Sequence, residues 1–192
     1  MTIGPNDALI VVDVQNDFAP GGALPVSDGK LVVPVINLLE PLFEHAVFTR
    51  DWHPIDHCSF AEEPAFADGS WPVHCVQDTP GAEFVGSLHV PVDALIVDKA
   101  TDPEHEAYSG FDGTDLAEAL KARGVERVFV CGLATDFCVK ATALDARRDG
   151  FETIVVLDAC RGIDAPAGSV AAALDAMREA GVILCQSEAL LS

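Results

Sequence analysis

Short apolar runs alternate with amphipathic stretches along this chain, and the alternation predicts its elements. Asp7-Ala8-Leu9-Ile10-Val11-Val12-Asp13 is apolar on both faces, which suits a buried parallel strand ending in a carboxylate. A turn-rich segment through Pro20-Gly21-Gly22 to Gly29 leads to a helical pattern in Leu31, Val32, Val35, Ile36, Leu38 and Leu39. Pro34 fits its first turn, and Pro41 ends or bends it. His45 to Arg50 reads as a second strand and Val92 to Lys99 as a third. Between them, Asp51 to Pro91 holds no long periodic segment; loops of such length in compact domains are usually functional.

The second half is more regular. A helix from about Thr114 stops at Gly124, and Val125 to Cys131 is strand. A helix carrying Cys138 in its first turn stops at Gly150, and Phe151 to Leu157 is strand. A helix from about Pro166 to Ala180 stops at Gly181, and Val182 to Cys185 is strand. Glycine after the last periodic residue supplies the left-handed cap that ends a helix. Helix, glycine, strand, three times over, predicts right-handed crossovers. The expected fold is α/β, in three layers (α/β/α), with a central, mainly parallel sheet of about six strands.

At 192 residues the length suits one domain, 1–192, and an apolar share of 49% argues against disorder. Asp and Glu number 31 against 11 Lys and Arg, a net charge of −20. Such an excess repels phosphate backbones and anionic membranes, so neither nucleic acid nor membrane is an expected partner. No signal-peptide pattern opens the chain, and no apolar run reaches membrane-spanning length. Six cysteines without CxxC pairing read as reduced thiols, which points to the cytoplasm.

The candidate chemistry collects at the predicted strand ends, where ligands bind in open α/β sheets. Asp13 ends the first strand and Lys99 the third. Asp51 and His53 follow the second strand with the alternation that turns both toward one metal ion, and His74 offers a third ligand. Cys138 falls at the start of a helix, where the unpaired N–H groups and the dipole favour an anion and lower a thiol's pKa below roughly 8.5.

The segments Ile10 to Phe18 (IVVDVQNDF), Asp51 to Phe60 (DWHPIDHCSF), Trp71 to Cys75 (WPVHC), Asp98-Lys99 with Tyr108 to Phe111 (YSGF), and Gly132 to Val139 (GLATDFCV) resemble the nicotinamidases among the isochorismatase-like cysteine hydrolases. The resemblance implies the isochorismatase-like hydrolase fold and a triad of Cys138 as nucleophile, Asp13 as general acid/base and Lys99 as the orienting cation. It implies a cis peptide at Leu133-Ala134, with the Ala134 and Cys138 amides facing an oxyanion. It also implies one divalent metal ion, Zn first and Fe or Mn as alternatives, on Asp51, His53 and His74. Some relatives place a fourth ligand where His57, Glu62 and Glu63 stand here; DWHPIDHCSF resembles the form with water there. Phe18, Trp71, Tyr108 and Ala134 are expected around a flat ring. The implied reaction is hydrolysis of nicotinamide, and of pyrazinamide, through a Cys thioester. The rivals are another amidase acting on a carbamoyl or ureido substrate, and a non-catalytic metal- or ligand-binding relative. A homo-oligomer is a family-based expectation.

Overall fold

In a computed structural model, which describes residues 1–66 and 68–191, six strands form one sheet in the order β3-β2-β1-β4-β5-β6, and every pairing is parallel. The strands are β1 (Asp7–Val12), β2 (His45–Asp51), β3 (Leu95–Lys99), β4 (Arg127–Leu133), β5 (Glu152–Arg161) and β6 (Ile183–Cys185). The helices are α1 (Val32–Leu39), α2 (Leu116–Ala122), α3 (Lys140–Arg148), α4 (Ser169–Glu179) and α5 (Glu188–Leu191). Among the described residues no helix is long and apolar enough to cross a membrane.

The strand order reverses between β1 and β4. Crossovers step outward from β1 in one direction and from β4 in the other. Right-handedness therefore puts α1 on one face and α3 with α4 on the opposite face, completing three layers. β1 is buried along its whole length, as its two-sided apolar run requires. β4 comes so close to β1 that a side chain at Gly132 would place its Cβ 2.1 Å from the Val12 carbonyl oxygen. Gly132 also has φ +114°, a region L side chains rarely adopt, and lies where the β4–β5 register shifts.

Several boundaries differ from the sequence-based expectation. β3 begins at Leu95, because Val92 lies in a turn and is fully exposed. β4 starts two residues late and runs on to Leu133, while β5 continues past Leu157 to Arg161; beyond the register shift, Gly132 pairs with Cys160 and Leu133 with Arg161. α4 starts at Ser169, after a cis Ala165-Pro166 bond and a left-handed Gly168. Cys138 lies not in the first α-helical turn but in a wider π turn, Thr135–Val139, that feeds α3.

Candidate active site

Parallel pairing brings four strand ends to one rim, and each delivers a side chain the sequence singles out. Asp51 ends β2 opposite Lys99 at the end of β3. Asp13 follows β1 in a left-handed conformation (φ 49°), as do Ala100 after Lys99 (φ 52°) and Cys75 after His74 (φ 45°). Non-glycine residues held there cost about 1–3 kcal/mol each and concentrate where a side chain has to be aimed. Cys138 follows β4, across the switch point from Asp13.

Lys99 joins these groups. It is 1% exposed, and its Nζ lies 3.1 Å from Asp13 Oδ2 and 3.5 Å from Cys138 Sγ. It also donates to the Ala107 carbonyl at 3.1 Å and to Asp51 Oδ1. Burial alone would discharge this amine, but Asp13 and Asp51 hold it well above its ordinary value. Asp13 is fully buried and accepts the Thr49 hydroxyl at 2.6 Å. Burial raises its carboxyl to about 6, against the opposing pull of Lys99. For Asp51, burial is overridden by Lys99 and then His53, which keep it well below the usual carboxylate range.

Cys138 corrects the sequence-based reading. The position was expected to lower the thiol's pKa, yet burial pushes it well up and Lys99 only partly offsets this. The π turn is buried at Thr135, Asp136, Cys138 and Val139, and a carboxylate oxygen of Asp13 lies within 4.8 Å of the sulfur. Burial thus favours the thiol over the thiolate, with the Asp13 carboxyl beside it.

The long loop between β2 and β3 supplies the other half of the site. It contains no strand or helix among its described residues but is pinned by polar contacts. His53 N donates to the Cys75 carbonyl and Gln77 N to the His53 carbonyl, so the segment after Pro72 lies alongside His53. Asp17 accepts the Cys75 amide at 2.7 Å, and Gln15 clamps Asp51 by donating to its carbonyl (2.8 Å) and accepting its N–H (2.9 Å). Ligand atoms of Asp51, His53 and His74 consequently lie within 4.8 Å of one another, all buried.

Those three residues fit a divalent metal. Neither ring nitrogen of His53 has a hydrogen-bond partner although the residue is 1% exposed, an arrangement that costs free energy unless something binds there. His74 Nδ1 contacts the Pro72 carbonyl at 2.8 Å, which assigns the ring's proton to Nδ1 and leaves Nε2, 3.8 Å from Asp51 Oδ2, free to ligate. Burial lowers the His74 pKa to about 4, so the imidazole is neutral, the ligating form. His57 differs: its nitrogens contact Ser59 Oγ (2.8 Å) and the His105 carbonyl (3.2 Å). Glu62 and Glu63 are exposed. Two imidazoles and one carboxylate leave open positions, suited to Zn²⁺, Fe²⁺ or Mn²⁺.

Between sulfur and imidazoles lies a small cavity that opens to the surface. Phe18, Trp71, Tyr108 and Ala134 all line it, as expected. Trp71 Nε1 donates to the Tyr108 hydroxyl at 3.0 Å, fixing the two rings together. Four wall residues were not anticipated: Leu24, Glu106, Phe137 and Ile163. Phe137 stands edge-on to Trp71, with centroids 4.8 Å apart. Ile163 is held by Asp136, whose buried carboxylate accepts the Ile163 amide (3.0 Å), the Asp164 amide (2.9 Å) and the Ser169 hydroxyl (2.6 Å). Asp136 thus ties the Cys138 turn to the far wall. The cis peptide at Leu133-Ala134 is present.

A family model described as the isochorismatase domain matches residues 7–189. This chain belongs to the isochorismatase family. Its similarity to members of that family runs nearly end to end. It is 43% identical over 191 residues to the nicotinamidase/pyrazinamidase of Mycobacterium tuberculosis, covering 94% of this chain and 99% of that one. Against the crystal structure of the pyrazinamidase of Pyrococcus horikoshii in complex with zinc, identity is 50% with a TM-score of 0.85, covering 95% of this chain and 99% of that one. The structure of PnC1 from L. infantum in complex with nicotinate gives 38% and 0.90, covering 99% and 98%. Within this isochorismatase-family fold, the metal-type cluster and the aromatic wall face the same cavity as the cysteine.

Proposed function

We propose that this chain is a nicotinamidase: it hydrolyses nicotinamide to nicotinate and ammonia, and accepts pyrazinamide, which carries the same carboxamide on a similar ring. One observation carries the reading. A single cavity is lined by a cysteine that lies beside a carboxylate and a buried lysine, by an aromatic wall, and by the three metal-type residues Asp51, His53 and His74. A general amidase needs the first of these features; a pyridine carboxamide uses all three. The near full-length similarity to nicotinamidases and pyrazinamidases supports the same substrate class.

In the proposed cycle Asp13, already raised to about 6, takes the Cys138 proton as sulfur attacks the carboxamide carbon. Lys99, 3.5 Å from the sulfur, steadies its developing charge. The carbonyl π electrons move onto oxygen, where the Ala134 and Cys138 amides donate to the oxyanion; one such donor is typically worth about 3–4 kcal/mol. Collapse breaks the C–N bond, and Asp13 returns its proton so that ammonia leaves rather than an amide anion. A thioester on Cys138 remains. Water attacks it, again passing a proton to Asp13, which then reprotonates the departing sulfur. Phe18, Trp71, Tyr108 and Phe137 hold the ring flat and exclude other water. Asp51, His53 and His74 would hold the divalent metal, Zn first and Fe or Mn as alternatives, which when bound accepts the pyridine nitrogen and orients the ring. Six cysteines without CxxC pairing in a chain of this length support a cytoplasmic setting.

Ammonia release from nicotinamide is the test. The wild type releases it and Cys138→Ala does not; comparable release by both would end the assignment.

A further inference from the structure

Glu106 is the acidic wall residue that neither the mechanism nor the Asp51, His53 and His74 cluster uses. It lies in the segment between β3 and α2, half-buried, and lines the cavity. A carboxylate oxygen lies within 4.8 Å of ring nitrogens of His53 and His57. Its only charge-relevant contact is local: Oε1 accepts the adjacent Ala107 amide at 2.9 Å. Among the described residues no Lys or Arg pairs with it, and none of the wall residues is Lys or Arg. Its carboxyl group therefore lines the cavity without a Lys or Arg partner among the described residues.

The charge it adds matters because the reaction changes the charge of its ligand. A neutral carboxamide and water become a carboxylate anion and an ammonium ion. With a divalent cation on Asp51, His53 and His74, the ionised Asp13 and Asp51, the protonated Lys99 and that cation carry one net positive charge. Such a centre would retain the anion it makes. Glu106 brings the total to zero at the cavity wall. We propose that Glu106 is a specificity-determining residue that discriminates against carboxylate ligands, weakening retention of the product and excluding anionic acyl substrates while leaving entry of neutral aromatic amides unopposed. The inference rests on the nicotinamidase reading.

Isothermal calorimetry on metal-loaded Cys138→Ala protein, which binds without turnover, compares nicotinamide with nicotinate. Adding Glu106→Gln is expected to shift the ratio of their dissociation constants about fivefold toward nicotinate, the size of one partly screened charge across the cavity. Glu106→Asp should restore the original ratio. At about 1 M salt, where screening acts within roughly 3 Å, the gap between the Gln and Glu proteins should shrink. An unchanged ratio, or a shift that salt leaves untouched, overturns the role of Glu106. Failure of both ligands to bind the Cys138→Ala protein overturns instead the nicotinamidase reading beneath it.

Discussion

The two halves of the cavity are built to different degrees of completion. On the sulfur side every charge has a partner in the chain: Lys99 meets Asp13, Asp51 and the Ala107 carbonyl, and Thr49 caps Asp13. On the imidazole side the protein stops short. His53 keeps two unmet nitrogens and His74 one, with Nε2 of each ring within 4 Å of Asp51 Oδ2. Asp13 Oδ2 lacks a hydrogen bond but faces the Lys99 ammonium at 3.1 Å, whereas the His53 nitrogens face no cation or donor, so the first half reads as charge-balanced machinery and the second as a socket. The contrast separates what the chain does by itself from what it does with a bound ion.

The most forceful way to break the contrast is to remove the nucleophile. Cys138→Ala should lower kcat by about 10⁴-fold or more while ion binding persists, measured by ammonia release alongside metal content. Emptying the socket should do the reverse. Chelation should cost about 10²-fold in turnover, the scale of a misplaced substrate, with alkylation of Cys138 still possible and activity returning on refilling. Saturation at a hundred times the dissociation constant should add about 2.7 kcal/mol, or roughly 5–11 °C in Tm by calorimetry. Turnover indifferent to chelation would favour a carbamoyl- or ureido-type amidase.

Acidity sharpens the picture within the finished half. Asp13 has a raised pKa and acts as a base only when ionised, so kcat/KM should fall about tenfold per pH unit below about 6. Asp13→Asn should remove that acid limb together with most of the rate. A smaller effect is expected where the Cys138 turn is tied to the Ile163 wall. Asp136→Asn keeps an oxygen acceptor but loses the charge behind three hydrogen bonds, and should cost about 2 kcal/mol in denaturant unfolding with a several-fold loss in kcat/KM. A purely structural Asp136 would lower stability and leave kcat/KM unmoved.

Residues whose chemistry coincides with a strand end were readable from the chain alone. Asp13, Asp51, Lys99 and Cys138 each follow an apolar run, and parallel pairing does the rest. His53 and His74 were readable because so long a segment without periodicity is rarely idle. What escaped lies where pattern and role diverge. Phe137 beside the nucleophile looks like one apolar position of an amphipathic helix, and only the π turn swings it into the cavity. Glu106 stands in a polar stretch from Asp102 that resembles any solvated loop. The far end of β5 was missed because the register shift that lets Cys160 pair with Gly132 leaves no mark in hydrophobic period. The thiol's pKa was misjudged because burial, invisible in a local motif, outweighs the turn's dipole.

Asp51 takes part in both halves, offering one oxygen toward Lys99 and the other toward the imidazoles. A single carboxylate serving two masters constrains how this scaffold can drift. A descendant that abandoned the ion by losing Asp51 would also strip the interior ammonium of a counter-charge, upsetting the proton relay on the opposite side. Ion-free descendants of such a protein must therefore first recruit another acceptor for that lysine.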